Sequence, residues 1–546
     1  MKTNRFFIFA LLLLALVACT REEQPENQTT TGVITGLTED VCFEQVGQID
    51  SIGLIEHYEL LIQQTTENNA DDTAFLTYLQ EQLAMAEEYQ EECINQSGAN
   101  FDTGADGAGG KNRLLGYQYA TIRYNSIDHF GNPIVLSTLV VWPYNNIFSN
   151  PDPNNVIIGC HVTIGSNAER PTNYDKNSIM SDVGMLACCA KSNGIGSEYE
   201  NLVIIPDYQG YGATHGEPHP YLSQTLTARQ VLDGVKAGIQ YFQSRSSSPL
   251  EKDWRSVSTG YSQGGSVAMA VHKYIEQNDL VSEFRFAGSV CGSGPYDPIA
   301  TLQKYIQTNE VYMPVAVGMM LYSMCETNPR LMGKFEPKDY LTKKFLDTGI
   351  IEKIESKSMT TDQVQEALLK YSLEFNKDDE TTLCMWHLGD SSKFYPYRKD
   401  TYEDYNWASG LIRTAYAKTS DILRPELISF FKDNVMPEDK EQKEALTALK
   451  AALNDNVLHN GWQPAHPCLM YHTEADEVVT IENYYECLKA WEGNSYVKGI
   501  KYRGTTETHV SYGSYFYMRQ DGYGIDDLLD GDLDDYEFDG VDNGIL

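Results

Sequence analysis

Gly260-Tyr261-Ser262-Gln263-Gly264-Gly265 is the stretch on which the reading of this chain turns. An apolar, β-branched run, Val257 to Thr259, leads into it, and a small-residue, helix-compatible run, Ser266 to His272, leads out. Strand, sharp turn and helix around a G-x-S-x-G sequence predict a nucleophile elbow. Such a turn holds its serine in a strained backbone conformation that lifts the hydroxyl clear of the sheet. Side chains at Gly260 and Gly264 would then collide with the neighbouring strand and helix, which is why glycine is needed there. The N–H of Gln263, at the start of the helix, is the expected first oxyanion donor.

A serine hydroxyl attacks poorly until a base takes its proton, and that base is usually a histidine oriented by a carboxylate. On a sheet with this elbow the chain order is serine, acid, histidine. Cys468 to His472 reads as a late strand that runs into Thr473-Glu474-Ala475-Asp476-Glu477-Val478-Val479. Asp476, in the turn beyond it, is the expected acid, with Glu474 and Glu477 as rivals on spacing alone. Past the last predicted strand, Val497 to Tyr502, comes Gly504-Thr505-Thr506-Glu507-Thr508-His509-Val510. His509 is the only histidine after His472, so it is the expected base; His472 itself reads as structural. A second oxyanion donor should come from the loop after the early strand Val156 to Cys160. That loop reads His161-Val162-Thr163-Ile164-Gly165, and the backbone of Thr163, or of Val162, is the candidate.

The chain has 546 residues, 42% apolar and 11% aromatic, enough for one large domain with insertions. Its formal net charge of -36 makes nucleic acid or an anionic membrane a poor partner for its surface. Lys2 and Arg5 precede an apolar run, Phe6 to Val17, too short to span a bilayer. Leu16-Val17-Ala18-Cys19 comes next and resembles a bacterial lipobox, so residues 1–19 read as a lipoprotein signal with Cys19 as the lipidated residue. The polar stretch after it, to about residue 38, reads as a tether that holds an exported, lipid-anchored domain, on the outer membrane by expectation. Export permits disulfides, but the cysteine spacing gives no pairing.

Residues 39–112 read as a helical extension and a Gly-rich linker, with Asp71 and Asp72 as caps of the second helix. Two runs, Tyr117 to Asn125 and Ile134 to Trp142, flank Asp128-His129-Phe130-Gly131-Asn132-Pro133 and predict a hairpin. Buried-strand runs then alternate with helical segments such as Gln224 to Phe242. This pattern predicts an α/β class, a mixed and mostly parallel sheet with helices on both faces, over residues 113–297 and 467–517. Residues 298–466 keep helical periodicity, as in Thr360 to Phe375 and Asp439 to Leu453, and read as a cap or lid. Residues 518–546 are rich in Asp and read as a solvated tail. No metal or cofactor is expected: H-E-x-x-H is absent, and His215-x-x-x-His219 lies among Gly216, Pro218 and Pro220, which disfavour a helix.

Several segments together resemble the secretory lipase group of α/β-hydrolases, typified by fungal lipase A. They are Val203-Ile204-Ile205-Pro206-Asp207-Tyr208-Gln209-Gly210-Tyr211-Gly212, the elbow itself, Gly294-Pro295-Tyr296-Asp297, Asn460-Gly461-Trp462-Gln463-Pro464 and Thr473 to Val479. The resemblance runs over roughly residues 115 to 517. It implies an α/β-hydrolase fold with a helical lid and a triad of Ser262, Asp476 and His509. One departure is that the family's His-Gly-Thr loop reads His161-Val162-Thr163 here, and a β-branched valine restricts that backbone.

The expected activity is cofactor-free hydrolysis of a small-molecule or lipid carboxylic ester through an acyl-enzyme. Other readings are a serine peptidase of the prolyl-oligopeptidase type, an esterase for acetylated or feruloylated polysaccharide, and a binding lipoprotein that kept the fold without catalysis. Oligomeric state is not readable from the chain.

Overall fold

A strand that is apolar on both faces is stable only inside a sheet covered on both sides. The computed structural model forms such strands from the predicted runs, each buried end to end: β4 (Asn155–Cys160), β5 (Asn201–Pro206), β6 (Ser256–Tyr261), β7 (Phe286–Gly292) and β8 (Cys468–Thr473). The structure describes residues 36–69, 73–97, 115–145, 153–175, 178–190, 200–245, 250–361, 363–364, 367–368, 417–502, 508–510, 512–513, 516–517, 524–531 and 541–543. The signal segment, Cys19, the tether to residue 35, Asp71, Asp72, the Gly-rich linker and much of Thr360 to Phe375 lie outside them.

Among the described residues, β1 (Phe43–Gly53), β2 (Leu115–Ile127), β3 (Pro133–Asn145), β9 (Val497–Tyr502) and β10 (Val541–Asn543) complete a sheet of ten strands in the order β1-β2-β3-β5-β4-β6-β7-β8-β9-β10. The strands β5, β4, β6, β7, β8 and β9 (Val497–Tyr502) run parallel. The predicted hairpin is β2 (Leu115–Ile127) and β3 (Pro133–Asn145), antiparallel in unbroken register, and β3 joins the parallel block through β5. This is the α/β-hydrolase arrangement, with the elbow strand β6 near the middle.

Alternate residues of each strand enter different cores. Val156 and Ile158 join Leu202, Ile204, Val231 and Val271 on one face, where the helices Gln224–Arg245 and Gln263–Gln277 pack. Ile157, Val203 and Ile205 join Tyr58, Leu61 and Leu79 on the other, under the helices Leu54–Asn69 and Thr73–Ser97. A third core lies within the inserted helices, among them Pro298–Thr308, Pro314–Thr327, Pro425–Asp433 and Lys440–Asp455.

Two stretches differ from the sequence reading. Phe43–Gly53, read as part of a helical stretch, is the edge strand β1, antiparallel to β2. A register shift between Val46 and Asp50, with Gly47 at φ +81°, breaks the period-two alternation over which a strand would be recognised. The acidic C-terminal segment is not wholly solvated. Its helix Ile525–Asp530 buries Ile525, Leu528 and Leu529 against the sheet, and Val541–Asn543 pairs with β9 as β10. Aspartates hid the few apolar residues that carry this packing. No helix among the described residues is long and apolar enough to cross a membrane.

Candidate active site

The carboxyl ends of β4, β6 and β8 open on one side of the sheet, and the loops leaving them carry Thr163, Ser262 and Asp476. Ser262 directly succeeds the last residue of β6 and caps the helix Gln263–Gln277 at φ 55°, ψ -123°, a region that non-glycine residues rarely occupy. The strain is held by its surroundings. Ser262 N–H donates to the Gly292 carbonyl at 2.9 Å, and Ser266 N–H donates to the Ser262 carbonyl at 3.2 Å. A Cβ on Gly260 or Gly264 would lie 2.2 Å or 2.0 Å from the Cys160 carbonyl oxygen of β4. Only glycine lets the elbow sit this close to the neighbouring strand.

His509 comes from the segment after β9 and bridges the other two residues. Its Nε2 is 2.8 Å from Ser262 Oγ and its Nδ1 is 2.7 Å from Asp476 Oδ2. The other oxygen of Asp476, Oδ1, accepts the backbone N–H groups of Val478 at 3.0 Å and Val479 at 2.7 Å. With Oδ1 held by the turn, Oδ2 is left to the imidazole. Facing a carboxylate, Nδ1 carries the proton, so Nε2 offers its lone pair to the serine hydroxyl. Burial disfavours the imidazolium, but contact with Asp476 and the nearby Glu477 outweigh it and raise the His509 pKa above the ordinary value.

The rivals of Asp476 have other partners. Glu474 pairs with Lys501 at 2.7 Å. Glu477 accepts the backbone N–H of His509 at 3.1 Å, and burial, with the charge of Asp476, pushes its pKa up to about 7. Tyr261, beside the serine, donates to the His509 carbonyl at 2.6 Å. Thus Glu477 holds the backbone N–H of His509 and Tyr261 holds its carbonyl. Sequence reading missed Tyr261, although it adjoins the serine, and weighed Glu477 only as a rival to Asp476.

In the loop after β4, Val162 N–H donates to Asp182 Oδ2 at 3.0 Å and is thus already engaged. Thr163 Oγ1 is 3.0 Å from the Tyr221 hydroxyl, and Thr163 lines the same cleft as Ser262. His161 packs below this loop as a buried neutral ring, its pKa lowered by burial to about 4, stacked on Tyr208 at 3.8 Å. The Gln263 side chain is fixed by His219. Nδ1 of His219 faces the Gln209 carbonyl at 2.8 Å and so bears the proton, leaving Nε2 to accept from Gln263 Nε2–H at 3.1 Å. His472 is buried against the Thr473 carbonyl at 3.0 Å.

The cleft above Ser262 opens to solvent, and its free space, open solvent included, is about 580 Å³. Its wall is largely apolar: Leu302 and Tyr305 from Pro298–Thr308, Met313, Ala316, Val317 and Met320 around Pro314–Thr327, and Val478 and Val479 from the acid turn. Helices of the insertion thus roof the serine. Val478 and Val479 give the Asp476 turn a second role, since their N–H groups hold the acid while their side chains face the cleft. Cys93, Cys160, Cys291, Cys325, Cys468 and Cys487 are buried free thiols.

Comparison with known proteins agrees with the resemblance read from the sequence. The model of the Secretory lipase family matches residues 198–380, which include the elbow but not Asp476 or His509. The ligand-bound rice cell wall degrading esterase LipA from Xanthomonas oryzae is 18% identical, with a TM-score of 0.53 over 78% of this chain and 92% of that chain. A protein from Legionella pneumophila is 16% identical, with a TM-score of 0.52 over 83% of this chain and 96% of that chain. No curated protein matches the sequence. At these identities the structural likenesses establish the α/β-hydrolase fold.

Proposed function

We propose that this chain is a carboxylic ester hydrolase, a lipase or esterase of the secretory lipase kind, that works through Ser262, His509 and Asp476. The observation that carries the reading is the hydrogen-bonded line from Ser262 Oγ through His509 to Asp476 Oδ2, at 2.8 and 2.7 Å, at the foot of an apolar cleft. Ser262 Oγ attacks the acyl carbon as His509 Nε2 takes its proton. The N–H groups of Gln263 and Thr163 hold the oxyanion. Collapse of the tetrahedral intermediate breaks the bond to the alcohol, which leaves with the proton from His509. Water, deprotonated by the same imidazole, then releases the acid and restores the serine. Burial of the acyl chain against Leu302, Met313, Val317 and Met320 contributes roughly 0.8 kcal/mol per buried methylene, which favours an apolar acyl group.

A fluorophosphonate probe tests the reading. It should label the wild type and leave Ser262→Ala unlabelled. A chain-length series of p-nitrophenyl esters beside a prolyl anilide then sets the class, with esters turned over faster. A folded wild type that stays unlabelled would favour a binding protein, and faster turnover of the anilide would favour a peptidase.

We propose as well, from the lipobox-like segment, that the chain is exported and anchored through Cys19, with an ester as its substrate and nucleic acid not a partner. Incorporation of a palmitate analogue into the wild type, and its loss in Cys19→Ser, is the expected result; equal labelling of both would remove the anchor.

A further inference from the structure

Away from the cleft, the ligand atoms His272 Nε2, Glu276 Oε1 and His466 Nδ1 all lie within 4.8 Å of one another. His272 and Glu276 are one turn apart on the helix Gln263–Gln277 and share a face. His466 comes from the loop that leads into β8. One Glu276 oxygen is 3.0 Å from His272 Nε2 and 2.7 Å from His466 Nδ1. Two of these side chains are also held from outside the cluster. Ser289 Oγ of β7 lies 2.8 Å from His272 Nδ1. Trp462 Nε1–H donates to Glu276 Oε2 at 2.7 Å, and Ala465 N–H reaches both Glu276 oxygens at 3.0 and 3.1 Å. The His272 side chain is fully buried, whereas that of His466 is 32% exposed, so solvent meets the cluster on one side only.

We infer that His272, Glu276 and His466 form a zinc site that fastens the end of the inserted helical region to the elbow helix. Two imidazoles and a carboxylate, with a fourth position left to water, are a common Zn²⁺ ligand set, and hard cations such as Ca²⁺ or Mg²⁺ favour all-oxygen sets instead. The contacts from Ser289, Trp462 and Ala465 are of the outer-shell kind that orients metal ligands. Neutral imidazoles bind without net proton release. Each shifts its proton to its other nitrogen, Nδ1 of His272 towards Ser289 Oγ and Nε2 of His466. Without metal, two N–H groups point at Glu276 and the atoms form a hydrogen-bonded network. His272 lies ten residues beyond Ser262, about 15 Å along the helix, so the ion has a structural role and touches no reacting atom. It would hold the Trp462–Pro467 segment, and with it the start of β8, whose other end leads to Asp476. This structural role is independent of the ester-hydrolase reading.

The test is metal content and melting of the purified full chain after chelation and reloading with Zn²⁺ or Co²⁺. The wild type should retain one Zn²⁺ per chain, show visible absorption with Co²⁺, and gain at least about 3 °C in Tm with Zn²⁺ well above its Kd. His466→Ala, whose partly exposed ring is the mildest to remove, should keep the wild-type near-UV spectrum and lose the bound ion, the Co²⁺ band and the Tm gain; Glu276→Gln should lose the ion as well. Equal Zn²⁺ on wild type and His466→Ala would place the bound ion elsewhere and overturn the inference. No bound Zn²⁺ on the wild type would also overturn it and leave a hydrogen-bonded network only.

Discussion

Replacing Asp476 by Asn changes one atom, and the structure fixes the consequence. Oδ1 receives two buried N–H groups, from Val478 and Val479, while Oδ2 receives His509 Nδ1. An asparagine that keeps its carbonyl oxygen on the valine side must turn its NH₂ to His509. Nδ1 then becomes an acceptor, the proton moves to Nε2, and the serine faces an N–H where it needs a lone pair. The opposite flip restores the tautomer but sets NH₂ against two buried N–H donors, at about 1–3 kcal/mol each. Both routes remove much of the base. The corresponding change in a Ser-His-Asp triad lowers kcat about 10⁴-fold, which at about 1.36 kcal/mol per decade is roughly 5.4 kcal/mol of transition-state stabilisation. We expect a loss of that order in kcat on a p-nitrophenyl ester, with KM within about threefold and the urea midpoint nearly unchanged. A folded Asp476→Asn that keeps more than about a tenth of wild-type kcat would refute this assignment of the acid, as would greater damage from Glu477→Gln.

Other perturbations probe the remaining parts. In Gly264→Ala the new Cβ would meet the Cys160 carbonyl at 2.0 Å, so the elbow must shift; we expect a loss of about 3 kcal/mol or more in urea unfolding, together with activity. In the proposed mechanism His509 must be neutral, and its contact with Asp476 raises its pKa, so kcat/KM should fall as pH drops through a midpoint above the ordinary imidazole value; an acid limb centred below that value would contradict the contact with Asp476. Glu477 is raised by burial and by Asp476 from 4.5 to about 7, so the stability from its neutral form is full below 4.5 and lost as pH rises through about 7. Glu477→Gln should therefore be the more stable protein at pH 8, with the difference shrinking towards pH 5 in urea melts. Ala316→Phe fills part of the cleft and should lower kcat/KM for long acyl esters at least about tenfold relative to acetate; an unchanged preference would place the acyl group elsewhere.

Much of the site is written locally. Gly260 to Gly265 carries its own conformational instruction, because the glycines that a close strand contact demands surround a serine that must be strained. The acid turn is similar: the valines after Asp476 supply the N–H groups that hold Oδ1. Strands β4 to β8 are legible because a run apolar on both faces has few other places to go. The edge strand β1 was not legible, since an edge is half-solvated and the bulge near Gly47 breaks its alternation. The helix Ile525–Asp530 was hidden by the aspartates around its buried leucines.

By itself the sequence determined the class of fold, the elbow and the order of its prospective partners, since these rest on short-range stereochemistry and on the period of apolar residues. Only the tertiary structure brings Asp476, rather than Glu474 or Glu477, to His509 Nδ1, because spacing in a turn does not say which carboxylate faces an imidazole that arrives from a segment beyond the next strand. It also decided that Asp182 takes the Val162 N–H, that Glu477 and Tyr261 hold the backbone N–H and carbonyl of His509, and that His272, Glu276 and His466 meet. Each of these joins residues distant in the chain, and their side-chain directions are set by how the sheet, its helices and the insertion pack together.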